Sequence, residues 1–275
     1  MLPNQNSSPD SMKKFKRLSE EGVGTGLRWW AEIALVLIFY IFYSAIRNQF
    51  GSASVGSDQA LKNAESIIDL EDALGLFVEL EIQNLFIDWR WFIQFWNLFY
   101  GTFHFAVTAF ALIWIYRKFP FLYPRWRTSF LCTTGLALIG FSLFPLMPPR
   151  LLTDCGQYGA CLTTWPFVDT VSDIGGLWSF DSGTMQKVSN QYAAMPSLHF
   201  AWASWCTLAL WPTLQSRWAR GLIVFYPIAT LFAVIVTGNH YWIDAIGGLI
   251  VLGVGILLGR FIADGWHKWS LRHMA

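Results

Sequence analysis

Two stretches of this chain are apolar over longer runs than a globular core helix needs. AEIALVLIFYIFYSAI near the start and GGLIVLGVGILLG near the end carry a single ionisable residue between them, Glu32. Such segments have no polar face to offer water, but a bilayer accepts them as helices that satisfy their own backbone N–H and C=O groups. The composition points the same way. The chain is 54% hydrophobic, 17% aromatic and 13% charged, whereas a soluble domain is about one quarter charged. The expected fold class is therefore all-α, a polytopic membrane protein.

About six spans are expected, over Trp29–Ile46, Phe95–Tyr116, Ser129–Leu146, Leu198–Leu214, Gly221–Thr237 and Trp242–Ala263. Each is close to the ~20 residues that cross a bilayer, and Trp and Tyr gather near many of the ends. The fourth is semi-polar through Ser197, His199, Ser204 and Thr207, which fits a helix facing the inside of the bundle. With a cytoplasmic N-terminus, fourteen basic residues fall on one face (Lys13, Lys14, Lys16, Arg17, Arg28, Arg117, Lys118, Arg125, Arg127, Arg217, Arg220, Arg260, Lys268 and Arg272). Only Arg47, Lys62, Arg90, Arg150 and Lys187 fall on the other. That bias predicts a cell-membrane protein with both termini cytoplasmic. The polar first 28 residues lack the pattern of a cleavable signal peptide. A formal net charge of +1, with basic residues scattered between spans, gives no basis for a nucleic-acid surface.

The expected organisation is a cytoplasmic tail over 1–28, one membrane domain over 29–263 and a second cytoplasmic tail over 264–275. The domain has two outer excursions. Residues 47–94 contain SIIDLEDALGLFVELEIQNLFIDW, apolar at helical spacing with acids between, which reads as amphipathic helices on the outer surface. Packing collar is the simpler role for them, substrate gate the other. Residues 147–197 form a long outer loop holding Cys155 and Cys161, six apart. A disulfide suits these cysteines in an oxidising compartment better than a metal site, because no histidine neighbours them.

The chemistry concentrates in two strings, AAMPSLH ending at His199 and GNHYWID ending at Asp244. The histidines lie 41 positions apart, one span down and one back, so both should reach the same side, the extracytoplasmic one. His240 and Asp244 share a helix face, and a carboxylate there either fixes the imidazole tautomer for nucleophilic work or anchors a helix end. Pro196 and Ser197 suit the start of a helix and offer an anion site, with His199 in its first turn. Alternatively they are a cap with a satisfied histidine. Arg150, after Pro148 and Pro149, pairs with phosphate oxygens or snorkels to the interface. His104 lines the site or bonds a neighbouring helix. Together these parts suit phosphoryl transfer.

At these residues the chain resembles the type 2 phosphatidic acid phosphatase superfamily of membrane lipid phosphatases and phosphotransferases. PSLH at Pro196–His199 is similar to its second signature, and HYWID carries the histidine and aspartate of its third. Leu198 stands where a glycine is usual, Val234 where an arginine is common, and PPR at Arg150 only partly replaces the first signature. These departures, with FPLMPPRLL, FYGTFHF and AAMPSLH, resemble the branch of inositol phosphorylceramide synthases. The resemblance implies that His240 forms a phosphohistidine held by Asp244, that His199 is the acid and base, and that Arg150, Ser197 and His104 bind phosphate or substrate. It implies no metal and no organic cofactor. Partners would be a lipid phosphate or phospholipid, the bilayer, and an alcohol acceptor such as inositol or a lipid alcohol. Two other classes use the same residues differently. One is a metal-dependent intramembrane hydrolase with His199, His240 and Asp244 as ligands; the other is a non-catalytic lipid carrier.

Overall fold

The structure, a computed structural model, describes residues 28–50, 56–175 and 190–273. The N-terminal tail through residue 27, residues 51–55, the part of the outer loop that contains Lys187, and the last two residues lie outside them. Among the described residues there are helices and no strand, only an isolated bridge between Leu146 and Ala193. In chain order the helices are α1 (Trp29–Phe50), α2 (Ser57–Ala73), α3 (Glu79–Phe86), α4 (Arg90–Lys118) and α5 (Tyr123–Leu143). There follow a 3-10 turn at Pro149–Leu151, the single-turn α6 (Thr170–Asp173), α7 (Leu198–Leu210), α8 (Arg217–Val236) and α9 (Trp242–His273).

Among the described residues, three helices are long and apolar enough to cross a membrane: α4, α8 and the Trp242–Trp266 part of α9. Their outward faces carry Phe105, Phe110, Ile113, Leu222, Phe225, Ile228, Ile250, Leu257 and Phe261, all exposed. A patch of that extent would be costly in water and is ordinary against lipid. The spans expected at α1 and α7 are shorter apolar stretches, Trp29–Phe39 and Leu198–Leu210. The 21-residue α5 carries Arg125, Arg127, Ser129, Thr133 and Thr134 within its first twelve residues. Helix α9 also runs on to His273, through most of the segment expected as a C-terminal tail.

Helix α7 sits among α4, α5, α8 and α9. That position explains its polarity. Trp205 is fully buried and donates to Ser129 Oγ at 3.1 Å, Trp202 donates to Thr134 Oγ1 at 3.1 Å, and Thr207 bonds the Ile223 carbonyl at 2.6 Å. Side-chain bonds between helices do here what apolar contact alone cannot do in lipid. Ser197 and Ser216 accept from Phe200 N and Ala219 N, so each caps the helix it precedes.

The most extensive helix pair is α5 with α9. Gly255 and Gly259, a small-xxx-small pair, make it possible. A Cβ on Gly255 would collide with Thr133, and one on Gly259 with the backbone of Ser129. Near the start of α5, Arg127 bonds both oxygens of Glu32 at 2.6 and 2.8 Å, tying α1 to α5, and Arg125 meets Asp264 of α9 at 2.7 Å.

In the segment expected as the first excursion, α2 and α3 pack against the bundle. Ala60, Ala64, Ile67 and Ile68 of α2 are buried with Leu146, Met147, Leu151, Leu152, Tyr192 and Tyr241 in a second core, separate from the one between α4, α7 and α8. Met147 N donates to Ala60 O, Leu146 N to Tyr192 O, and Asn63 Nδ2 to Pro145 O. The result is a cap of α2, α3 and the described parts of the 147–197 segment, seated on one end of the bundle.

If the glycine step sets the α5–α9 distance, Gly259→Leu should destabilise the fold by about 1–3 kcal/mol or more through overpacking. Gly253, whose Cβ position meets nothing within 4 Å, should accept alanine with a small gain in helix stability. Thermal unfolding in detergent compares the two; equal behaviour would show that the step is unimportant.

Candidate active site

His240 and Asp244 straddle the start of α9. Tyr241 precedes the first helical residue, and Asp244, three positions further on, reaches back to accept Tyr241 N at 2.9 Å. The same oxygen, Oδ2, meets His240 Nδ1 at 3.1 Å. With the proton on Nδ1 and donated to Asp244, the lone pair of His240 resides on Nε2. Asp244 is fully buried and His240 nearly so. The pair is held from behind as well, since Asn239 N and His240 N both donate to the Val234 carbonyl, at 2.9 and 3.2 Å.

The second string is fastened to the first through the backbone. Ser197 N donates to Asp244 O at 2.9 Å, and Gly248 lies against the Ser197 carbonyl, where a Cβ would collide. Pro196 in turn rests on Gly140 of α5 and Gly247 of α9. The head of α7 is therefore pinned beside the head of α9. The His199 and His240 rings stand 5.7 Å apart between centroids. His199 stacks on Tyr100 at 4.4 Å and meets the edge of His104 at 4.4 Å. His104 Nδ1 bonds Tyr100 O at 2.9 Å within α4. His104 thus lines the site through His199, and it satisfies one nitrogen on its own helix.

Arg150 is buried in a network that the sequence does not announce. Its Nε donates to Asn239 Oδ1 at 3.1 Å, Nη1 to Asp169 Oδ2 at 2.7 Å and Nη2 to Gln191 Oε1 at 2.7 Å. Its backbone N donates to Gly238 O at 2.8 Å. Gly238, at φ +70°, makes the turn that carries the chain from α8 to His240. The guanidinium therefore braces the residues immediately before the histidine. A cavity of about 350 Å³ opens beside it, lined in part by Asp154, Gln157, Tyr158, Asp169 and Gln191. Cys155 and Cys161 form a disulfide at its rim.

The expected site residues divide in two. His199, His240, Asp244, Ser197 and His104 come together where α4, α7 and α9 meet, while Arg150 joins them through Asn239. Sequence reasoning missed Asp169, Gln191 and Asn239. It also missed Glu71 and Glu79, which are fully buried and accept Ile243 N and Trp242 N at 2.8 and 3.0 Å. Asn239 adjoins His240 and was open to notice. The acids sit in an amphipathic run that resembles a solvated face, and nothing periodic marks Asp169 or Gln191. Among the described residues, no group of three or more His, Cys, Asp or Glu is arranged to hold a metal ion.

An all-helical membrane protein with two histidines at neighbouring helix heads, one of them held by a buried carboxylate, is the class that this geometry defines. The chain belongs to the PAP2 superfamily, whose family profile matches residues 65–258, from α2 into α9. Members of that superfamily are generally phosphatases or phosphotransferases. Among curated proteins and among solved structures, no match is found.

The Arg150–Asp169 pair has side chains only 6% and 15% exposed, so breaking it strands a charge. Arg150→Met should cost about 3 kcal/mol, and adding Asp169→Asn should recover part of that. A double-mutant cycle of thermal unfolding reads the coupling. Additive losses would show that the two do not depend on each other.

Proposed function

We propose that this protein is a lipid-phosphate phosphatase or phospho-headgroup transferase that works through a phosphohistidine and uses no metal. The observation that carries the reading is the pair of imidazoles 5.7 Å apart, one of them bonded through Nδ1 to the buried Asp244. The Nε2 lone pair of His240 attacks phosphorus while the bond to the leaving oxygen breaks. His199 gives that oxygen its proton, and Asp244 stabilises the positive charge that forms on the His240 ring. His199, now neutral, takes the proton of water or an alcohol. The resulting oxygen attacks phosphorus, and the P–N bond breaks to free His240.

Water and an alcohol discharge the same intermediate. The resemblance of FPLMPPRLL, FYGTFHF and AAMPSLH to the inositol phosphorylceramide synthase-like branch favours transfer, with inositol or a lipid alcohol as acceptor. Arg150, Ser197 at the head of α7 and His104 are the proposed substrate contacts. The six-span arrangement, with both termini cytoplasmic and the site facing outward, follows from the distribution of Lys and Arg. A non-catalytic lipid carrier would not need the His240–Asp244 bond.

Purified protein offered labelled lipid phosphates, with and without alcohol acceptors, should become labelled itself in an acid-labile, alkali-stable form. His240→Ala should abolish label and turnover, and His199→Gln should slow turnover roughly 10²–10⁴-fold. Turnover at the wild-type rate by His240→Ala would sink the mechanism. Loss of activity on thorough chelation, restored by a metal, would favour the metal-dependent hydrolase instead.

Orientation is tested separately. Single cysteines placed between residues 150 and 175 should react with an impermeant maleimide from outside intact cells. Reaction only after the membrane is opened would reverse the topology.

A further inference from the structure

The head of α9 is held by two acids that the proposed reaction does not use. Glu71, near the end of α2, and Glu79, at the start of α3, converge because the two helices are joined by a short turn through Gly75. Both are completely buried. Glu79 Oε1 takes the peptide N–H of Trp242 and Glu71 Oε1 that of Ile243. Each second oxygen, Oε2, has no donor among the described residues. The two carboxyls accept from consecutive peptide N–H groups and so stand side by side with those second oxygens unpaired, and two carboxylates have no hydrogen with which to bond each other.

We propose that Glu71 and Glu79 share one proton and act together as positioning residues, a clamp of single negative charge that fixes the first turn of α9 and with it the His240–Asp244 pair. The proposal rests on reading His240 as the nucleophile. Its physical basis is charge economy in a buried pocket. Glu71 faces Glu79 from α3, and Asp244 and Tyr241 from the head of α9. Three ionised carboxylates in one buried pocket would repel one another strongly. Asp244 must keep its charge to hold the imidazole, so the proton goes to the glutamate pair. The single charge that remains meets the positive end of the α9 dipole. Burial and the neighbouring Glu79 push the Glu71 carboxyl up to about 9, and burial raises Glu79 as well.

Glutamine preserves the clamp without the shared proton, since its carbonyl oxygen still accepts from α9 and its N–H₂ bonds the remaining carboxylate. Glu71→Ala and Glu79→Ala should therefore lower kcat about 100-fold, the scale of a misplaced catalytic group, with KM little changed. The corresponding glutamine variants should recover most of that loss. In the wild type, kcat should fall as pH rises past about 9 and the shared proton leaves; neither glutamine variant should show that limb. Wild-type stability should also decline as pH rises from the ordinary carboxylate range towards 9, because the folded state binds this proton more tightly than the unfolded one. Glu71→Gln should flatten the decline.

Two readouts need no turnover and so separate this inference from the phosphoryl-transfer reading. Difference infrared spectra at neutral pH should show a protonated-carboxyl band in the wild type that either glutamine variant removes. In histidine-labelled protein, the His240 Nδ1–H resonance should shift in the alanine variants and return in the glutamine ones. No such band in the wild type, or its survival in both glutamine variants, overturns the shared proton. An unmoved His240 resonance and unchanged kcat in the alanine variants overturn the positioning role. If the alanine variants do not fold, the infrared band and the alkaline limb in the glutamine variants still decide.

Discussion

The peptide N–H groups at the head of α9 need acceptors in a buried place, and much of the structure is arranged around that need. A helix start leaves four such groups without intrahelical partners. Here Asp244 takes Tyr241 N, Glu79 takes Trp242 N and Glu71 takes Ile243 N. The acceptors come from three different helices, so capping one helix also assembles the end of the bundle. The cap of α2 and α3 could not be moved without leaving Trp242 N and Ile243 N buried and unbonded, each at a cost of roughly 1–3 kcal/mol.

The same end governs the relation between the two histidines. Ser197 N bonds Asp244 O, and Pro196–Ser197 fits only because Gly140, Gly247 and Gly248 leave room. Further along, Gly255 and Gly259 let α5 and α9 touch backbone to backbone. Close contact of α9 with α5, and of Pro196–Ser197 with both, thus fixes the separation between His199 at the head of α7 and His240 at the head of α9. A shift of α9 against α5 would move His240 relative to His199 even though neither residue lies at that contact.

Some of this was legible in the sequence, for identifiable reasons. Hydropathy marked the helices because lipid imposes a long apolar run, and α4, α8 and α9 were found within a few residues at most ends. The four-residue step from His240 to Asp244 and the small residues before His199 were local, so their geometry could be read directly. The buried acids could not. Glu71 and Glu79 lie at positions where acids ordinarily face water, and only the fold turns them inward onto α9. Arg150 was visible as a cation. Its partners Asp169, Gln191 and Asn239 are 19, 41 and 89 residues away in sequence, and no periodicity connects residues so distant.

The valine at position 234 has a structural sense. Val234 is buried and serves the loop through its carbonyl, which takes both Asn239 N and His240 N. An apolar side chain there leaves the space behind His240 without a charge. The cation nearest in the hydrogen-bond network is Arg150, which reaches the same loop from the other side through Asn239 and Gly238 and is balanced by Asp169. Among the described residues, the charge that meets the loop before His240 thus comes from the 3-10 turn at Arg150 and not from α8. A cation held by the loop is positioned by the outer cap, as is the head of α9 itself. Both halves of the site therefore depend on one peripheral element, and sequence change in that cap can alter the pocket while leaving His199, His240 and Asp244 in place.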